Sequence, residues 1–284
     1  ASCSNWRGGV AYGGGVWLSP GDVAVDSLGR ATVTGSTDSP DFPTTPGAFD
    51  TKKDSFSRSG FVLRLDPSAT SLEYSTFLET AGGSGATIAV ALTTTSSAVV
   101  VGTTGAGDFP TTPGVLSPTF NGTSDGYVSK LDPTGSALEW STYMGGSSVD
   151  LVNALFIDEK GEITLTGRTL SVDFPTTPNV WQPTAVPGSH NAFVTRIVAE
   201  AKSLIWSTFL GGSIGDDEGI AVAVEPSGSA VVVGWTRSFE FPTTPGAVQP
   251  SQSAGDDGFV TRLDPLGRTL LYSTYLGSAA TDLI

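Results

Sequence analysis

The chain is poor in the residues that most often form crosslinks or bind metals. Its 284 residues include one cysteine, one methionine and one histidine. The single cysteine, Cys3, excludes an internal disulfide, and the single histidine, His190, excludes a histidine-rich zinc site. No run of 18 or more apolar residues is present, so the sequence predicts no membrane-inserted segment.

Positive charge is scarce as well. The chain has 14 basic and 28 acidic residues, which gives a net charge of −14. Because nucleic acids carry the same sign of charge, we predict no nucleic-acid partner, whereas cations, neutral glycans and basic partners stay open. Only 15% of residues are charged, while 36 are glycine and 18 are proline. With no sustained helical periodicity, this composition indicates short strands joined by turns.

An internal repeat of 66 residues organises the chain. A six-residue motif, Asp-Phe-Pro-Thr-Thr-Pro or its Glu variant, begins at Asp41, Asp108, Asp173 and Glu240. Three further positions recur at intervals of 66 residues: an aromatic at 61, 127, 193 and 259, a basic residue at 64, 130, 196 and 262, and a threonine at 76, 142, 208 and 274. Such a period predicts a repeat architecture, with one supersecondary unit in each repeat.

Each repeat contains four strand-like runs separated by turn residues. In the last repeat they are Ile220 to Val224, Ala230 to Gly234, a run from Phe259, and Tyr272 to Tyr275. We therefore predict an all-β fold, a β-propeller of four-stranded antiparallel blades with four 66-residue repeats in this chain. The predicted domains are an N-terminal extension at 1–20 and a β-propeller at 21–284, with blades at about 21–80, 86–146, 150–212 and 218–277.

The repeat phase favours a closed ring of four blades, and it also fits a fragment of a longer array. In the latter case Trp6 and Tyr12 are the remnant of a fifth blade. Tight turns join the first to the second strand and the third to the fourth. The long connections between the second and third strands are therefore predicted to share the opposite face with the segments that join the blades. Function is expected on that loop-rich face.

Several local expectations concern the connections. Thr45 is predicted to cap a short helical turn that starts at Pro46, and Phe42 to fill the core between blades. The acids at 41, 108, 173 and 240 either cap the Thr-Thr backbone that follows them or form a ring around a cation, and we favour the cap. The repeated basic residues are expected to pair locally, for instance with Glu73 or Glu139.

These motifs resemble the bacterial SBBP repeat, which is named for a seven-bladed β-propeller. The resemblance covers residues 22 to about 277 and is closest in the stretches Phe241 to Ala247, Gly258 to Pro265 and Tyr272 to Gly277. It implies a secreted or surface-exposed bacterial protein and supplies no activity or catalytic residues. The chain departs from the family in having four repeats. In its third repeat Ile197-Val198-Ala199 replaces Leu-Asp-Pro, which predicts a remodelled turn.

Residues that differ between otherwise similar repeats are the candidates for function. The predicted ligand-binding residues are Arg168 and Trp235, which follow the glycine of the second strand, and Trp181 and His190 in the third connection. Aromatic and guanidinium groups can stack on a sugar ring and bind its hydroxyls; drift at solvent-facing positions is the alternative. No cofactor is predicted except possible calcium, for which the ligands would be Asp216, Asp217, Asp256 and Asp257.

The sequence favours a non-catalytic, secreted or cell-surface scaffold or binding module with a glycan or protein partner. One alternative is a carbohydrate-active enzyme, a polysaccharide lyase or glycoside hydrolase, that acts at the same face. Another is a structural module of a larger surface protein or filament. Gly211 to Gly215 matches the nucleophile-elbow pattern of serine hydrolases, but no helical pattern follows it.

Overall fold

A computed structural model describes residues 21–53, 58–78 and 84–282. Within them the chain forms sixteen β-strands, arranged as four antiparallel sheets of four strands each. The predicted extension at 1–20, the proposed fifth-blade remnant with Trp6 and Tyr12, and the last two residues all lie outside the described part of the chain. None of the described residues belongs to a helix long and apolar enough to cross a membrane.

Every sheet is a meander in which consecutive strands are neighbours. The strands of sheet 1 are β1 (Asp22–Val25), β2 (Ala31–Thr37), β3 (Ser59–Leu65) and β4 (Leu72–Leu78), and those of sheet 2 are β5 (Gly85–Leu92), β6 (Ala98–Thr104), β7 (Asp125–Leu131) and β8 (Leu138–Met144). Sheet 3 has β9 (Asp150–Ile157), β10 (Ile163–Thr169), β11 (Asn191–Ile197) and β12 (Leu204–Leu210), and sheet 4 has β13 (Asp217–Val224), β14 (Ala230–Thr236), β15 (Asp257–Leu263) and β16 (Leu270–Leu276). The predicted all-β, four-stranded antiparallel architecture is confirmed.

The chain divides into two compact units, residues 1–144 with sheets 1 and 2, and residues 145–284 with sheets 3 and 4. In the first unit, Val62, Tyr74 and Leu78 of sheet 1 share a hydrophobic core with sheet 2. We call the face that carries these residues, and the equivalent face of each sheet, the leading face. The face of sheet 2 that receives them carries Val100, Tyr127 and Leu131, and we call it and its equivalents the trailing face.

The second unit repeats this packing. Val194, Trp206 and Leu210, on the leading face of sheet 3, share a core with the trailing face of sheet 4, where Val232, Phe259 and Leu263 lie. Three of the four aromatic residues with the 66-residue period, Tyr127, Phe193 and Phe259, are thus fully buried, whereas Phe61 is partly exposed. The phenylalanines of the six-residue motif pack on them, with ring centroids 4.1–4.5 Å apart in all four repeats.

The long connections run beside the fourth strand of their own sheet. Thr244 Oγ1 accepts a hydrogen bond from the Ser273 backbone N–H at 3.0 Å, and the Thr244 N–H donates to the Ser273 carbonyl at 3.1 Å. Five residues further on, the Gln249 N–H donates to Thr274 Oγ1 at 2.9 Å. Equivalent bonds occur in the other three sheets. The repeated threonine at 76, 142, 208 and 274 is therefore an anchor for the connection.

Two local expectations were wrong. Thr45 begins a β-turn and not a helical turn, because the Ala48 N–H donates to the Thr45 carbonyl and Gly47 has a φ of +84°. The turn of the third repeat is not remodelled. The Val198 and Ala201 N–H groups make the same backbone bonds as those of Asp66 and Ala69 in the first repeat, and only the carboxylate that caps the turn is missing.

The acids and bases of the repeat also depart from expectation. The Asp173 carboxylate accepts bonds from the Ser147 N–H and hydroxyl, both 2.8 Å, and Glu240 binds Ser213, so these acids hold the segment before their sheet and do not cap the Thr-Thr backbone. Lys130 pairs with Glu139 at 2.9 Å as predicted. Glu73 instead pairs with Arg30.

Candidate functional site

The predicted functional residues that lie close together all belong to the second unit. They flank the segment 211–216, which joins β12 to β13. The last residue of this segment, Asp216, belongs to a polar network around Arg237, and the first three residues line an open cleft. The long connections and the segments between sheets were predicted to lie at the same edge of the sheets. In sheet 4 they do, because Ser213 of the segment binds Glu240 of the connection and the Arg237 N–H donates to the Asp216 carbonyl at 2.8 Å.

The polar network contains His190, Asp216, Arg237 and Asp256. His190 Nδ1 lies 3.0 Å from Asp216 Oδ1, which also accepts the His190 backbone N–H at 2.9 Å. Arg237 donates to both carboxylate oxygens of Asp256, from Nε at 2.7 Å and Nη2 at 3.0 Å. Partial burial would raise the pKa of Asp216, but the hydrogen bonds and charge of His190, with the charge of Arg237, hold it below its ordinary value. The network therefore favours the ionised form of Asp216.

Trp235 and Arg168 meet next to this network through Glu218. Arg168 Nη1 donates to Glu218 Oε2 at 3.0 Å, and Glu218 is the cross-strand partner of Trp235 in the pairing of β13 with β14. The Trp235 ring is only 8% exposed, and the Arg237 guanidinium carbon lies 5.4 Å from its centroid. Within the described residues, Trp235 Nε1 and Arg168 Nε are buried donors without a partner. Arg168 and Trp235 therefore form part of the contact between sheet 3 and sheet 4.

The predicted calcium ligands separate into two kinds. Asp216 and Asp256 are paired with His190 and Arg237, as described above, whereas Asp217 and Asp257 are buried with 1% and 0% exposure. Asp217 accepts bonds from the Gly212 N–H and the Ser238 hydroxyl, both 3.0 Å, and Asp257 accepts the Ser253 N–H at 2.6 Å. Across the described ranges, no group of three or more His, Cys, Asp or Glu residues is arranged to hold a metal ion. Calcium binding stays a prediction.

The buried Asp217 predicts a pH dependence of stability. Burial raises its pKa to about 6, against the hydrogen bonds from Thr236, Gly212 and Ser238. The folded chain therefore keeps this proton up to about pH 6, whereas the unfolded chain releases it near the ordinary value of 3.8. Stability contributed by protonation is thus present below about pH 4 and is lost as the pH rises to about 6, by about 3 kcal/mol for this group.

Asp217→Asn is expected to remove this contribution, because an amide does not titrate and its oxygen can still accept the hydrogen bond of the Thr236 hydroxyl. Urea unfolding at pH 4, 5, 6 and 7 measures it: the difference in unfolding free energy between wild type and variant should change by about 3 kcal/mol across that range. Glu159→Gln, at an exposed acid, is the control and should leave the profile unchanged. Parallel profiles for wild type and Asp217→Asn would contradict the assignment.

The cleft is lined in part by the first three residues of the segment 211–216. It has a volume of about 320 Å³ and is lined by Trp181, Gln182, Val186, Gly211, Gly212, Ser213, Glu240 and Pro242. The Trp181 side chain is 39% exposed. It is held in place by its backbone, whose N–H donates to the Gly267 carbonyl of sheet 4 at 2.7 Å. The cleft therefore combines a partly exposed aromatic ring on an anchored backbone with amide, hydroxyl and carboxylate groups.

Sequence reasoning found part of this arrangement. It identified Trp181, Trp235, Arg168 and His190, of which Trp181 alone lines the cleft. It missed Arg237, which joins the network, and Glu218, which joins Arg168 to Trp235. The same signal would have found both, since Arg237 occupies the position of Asp38, Gly105 and Leu170 in the other repeats, and Glu218 follows Asp217 where Leu151 follows Asp150.

The fold and site define an all-β protein of four four-stranded antiparallel sheets, with a polar cleft in its second unit. One similar solved structure, described as "Structure of Dos1 propeller", has a TM-score of 0.42 and 12% sequence identity, and the match covers 91% of this chain and 60% of that one. The chain thus spans less than two thirds of that structure's length. No protein-family model matches the chain, and no curated protein matches it. The SBBP resemblance stays a prediction.

Proposed function

We propose that the chain is a secreted or cell-surface binding module of bacterial origin whose sheets are blades of a β-propeller, and that it binds a glycan at the unit 2 cleft. Three observations support the propeller arrangement. The sheets are four-stranded meanders, they recur with a 66-residue period, and a leading face packs on a trailing face in both units. Resemblance to the SBBP repeat supports the bacterial surface location.

The observation that carries the glycan proposal is the chemistry of the cleft. Trp181 presents an exposed indole, and sugars stack on aromatic rings through their C–H faces. The cleft is also lined by Gln182, Ser213 and Glu240, whose polar groups can donate hydrogen bonds to sugar hydroxyls or accept them. A volume of about 320 Å³ suits one or two sugar units and lies at the small end of ligand pockets.

The same lining favours binding over glycoside hydrolysis. Hydrolysis by the usual mechanism requires two carboxylates flanking the scissile bond. Among the described residues that line the cleft, Glu240 is the one acid, and its carboxylate already accepts the Ser213 hydroxyl. We therefore assign Glu240 a binding role, in which it accepts a hydrogen bond from a sugar hydroxyl.

Trp181→Ala is expected to weaken glycan binding at least tenfold, because the stacking surface is lost and about 1.4 kcal/mol of binding free energy corresponds to a factor of ten. A glycan array identifies the ligand, and calorimetry with wild type and variant measures the loss. Val248→Ala is the matched control, since Val248 holds the position of Trp181 in the fourth repeat, is 85% exposed and lies outside the cleft. It should bind as wild type does.

Three outcomes would overturn the proposal. Wild-type protein that retains no glycan on the array would remove its basis, and a protein partner would then be sought. Equal binding by Trp181→Ala and wild type would place the ligand elsewhere. Release of oligosaccharide from a bound polysaccharide, detected by chromatography, would make the chain a carbohydrate-active enzyme.

A further inference from the structure

Among the described residues, a leading face packs on a trailing face within each of the two units, with similar residue types. On the leading face of sheet 1, Arg64, Tyr74 and Leu78 are 0%, 2% and 1% exposed. The equivalent residues of sheet 3, Arg196, Trp206 and Leu210, are 5%, 3% and 0% exposed. A covered leading face is therefore nearly solvent-free when the trailing face of the next sheet packs on it.

The leading face of sheet 4 is uncovered. Tyr272 and Leu276, which are equivalent to Tyr74 and Leu78, are 40% and 39% exposed. On the same face, Val260 and Arg262 of the neighbouring strand β15 are partly exposed. Val231 and Val233 on β14 are partly exposed as well. Apolar side chains thus alternate along three strands of an exposed face, a pattern that marks an interaction surface.

The trailing face of sheet 1 is likewise not covered by the described residues. Phe61, Leu63 and Leu65 on β3 are partly exposed, and Val25 on β1 is 45% exposed. The equivalent residues of sheet 2, Tyr127, Ser129 and Leu131, are each 0% exposed. Leu63 replaces the serine or threonine that the other three repeats have at this position, so the exposed face is more apolar than its buried counterparts.

An arginine contact that recurs in both units indicates which surface can pack on the leading face of sheet 4. Arg64 donates to the carbonyl of Ser96, at 2.6 Å, and Arg196 donates to that of Gly228, at 3.1 Å. Both carbonyls lie in the turn between the first and second strands of the next sheet. Arg262 is the equivalent arginine of sheet 4. It pairs with Glu225, while its Nε is a buried donor without a partner in the described part of the chain.

We propose that the leading face of sheet 4 docks on the trailing face of sheet 1 in a second copy of this chain. In that contact Arg262 donates to the carbonyl of the partner's Gly29, which is the position equivalent to Ser96 and Gly228. Tyr272 and Leu276 pack on the partner's Phe61 and Leu63. Because the two faces differ, the contact is head-to-tail, and two copies can form it reciprocally, each presenting one face to its partner.

Light scattering coupled to size exclusion tests the proposal. Wild type is expected to have twice the mass of one chain at micromolar concentration. Leu276→Asp, on the leading face of sheet 4, and Leu63→Asp, on the trailing face of sheet 1, should each raise the dimer dissociation constant at least tenfold. Ile214→Asp, at a residue that is 76% exposed and off both faces, is the control and should stay dimeric. Arg262→Gln, which changes no apolar residue, should also weaken the dimer.

Mixing the two variants tests the head-to-tail geometry. A copy with Leu276→Asp keeps an intact sheet 1 face, and a copy with Leu63→Asp keeps an intact sheet 4 face, so the mixture should form a heterodimer through one native contact. A wild type with the mass of one chain would overturn the proposal and favour closure within one chain. A dimer that survives both variants, or variants that do not complement each other, would also overturn it.

Discussion

Gly267→Ala is expected to cost about 2–4 kcal/mol of unfolding free energy. Gly267 has a φ of +66° in the turn between β15 and β16, and a Cβ there would lie 2.5–3.1 Å from the ring atoms of Trp206 in sheet 3. The indole cannot move aside easily, because it is 3% exposed and its Nε1 donates to the Pro265 carbonyl at 3.0 Å. A left-handed alanine costs about 1 kcal/mol, and overpacking adds about 1–3 kcal/mol.

Gly246→Ala separates the two contributions. Gly246 has a φ of +84° and nothing within 4 Å of an added Cβ, so this variant should lose only the backbone contribution of about 1 kcal/mol. Ala69 and Ala201 adopt φ values of +54° and +52° at the position equivalent to Gly267, so the turn itself accepts alanine. Chemical denaturation followed by tryptophan fluorescence measures both variants. Equal losses would show that the Trp206 ring does not constrain the turn.

Arg64→Ala is expected to destabilise the first unit by about 3 kcal/mol or more. Its guanidinium is fully buried and donates to Thr32 Oγ1 at 2.9 Å and to the Ser96 and Pro133 carbonyls of sheet 2 at 2.6 and 2.9 Å. Alanine would leave these acceptors unsatisfied at about 1–3 kcal/mol each and create a cavity under Tyr74, offset in part by removal of a buried charge.

Arg262→Ala is the matched control for Arg64→Ala. Arg262 occupies the same position in sheet 4, its side chain is 29% exposed, and its ion partner is Glu225 at 2.5 Å. Its loss should cost below about 1 kcal/mol. Both should be measured by urea unfolding at a protein concentration where the chain is monomeric. Similar losses for the two variants would show that the buried carbonyl contacts of Arg64 contribute little.

The strands could be predicted from the sequence because each depends on local patterns. The Tyr272 to Tyr275 run, for example, lies within β16. The partners of Arg64 in sheet 2 could not be predicted, since they are backbone carbonyls 32 and 69 residues away and any residue type supplies a carbonyl. Asp173 was misassigned for a similar reason: its partner, Ser147, lies 26 residues earlier in the chain, whereas the motif suggested a local cap.

Of the candidate site, the sequence could predict only residues that differ from their equivalents in the other repeats. Trp181 and Trp235 look alike as departures from the repeat, but Trp235 is covered by its neighbours while Trp181 projects from a connection. Exposure depends on how the connection folds beside β12, where the Gln182 N–H donates to Thr208 Oγ1 at 2.8 Å. Ser213 and Glu240 meet across 27 residues, so the cleft itself has no signature in the sequence.

The anchoring of each connection along a fourth strand also affects how much of that strand's edge is open to another chain. An open strand edge is a template for pairing with another chain. In sheet 4 that edge is occupied by Thr244 and Gln249, which bond to β16 on the side away from β15. In the described residues the connections thus occupy part of the outer edge of β4, β8, β12 and β16, which leaves less of each edge open to amyloid-like strand addition.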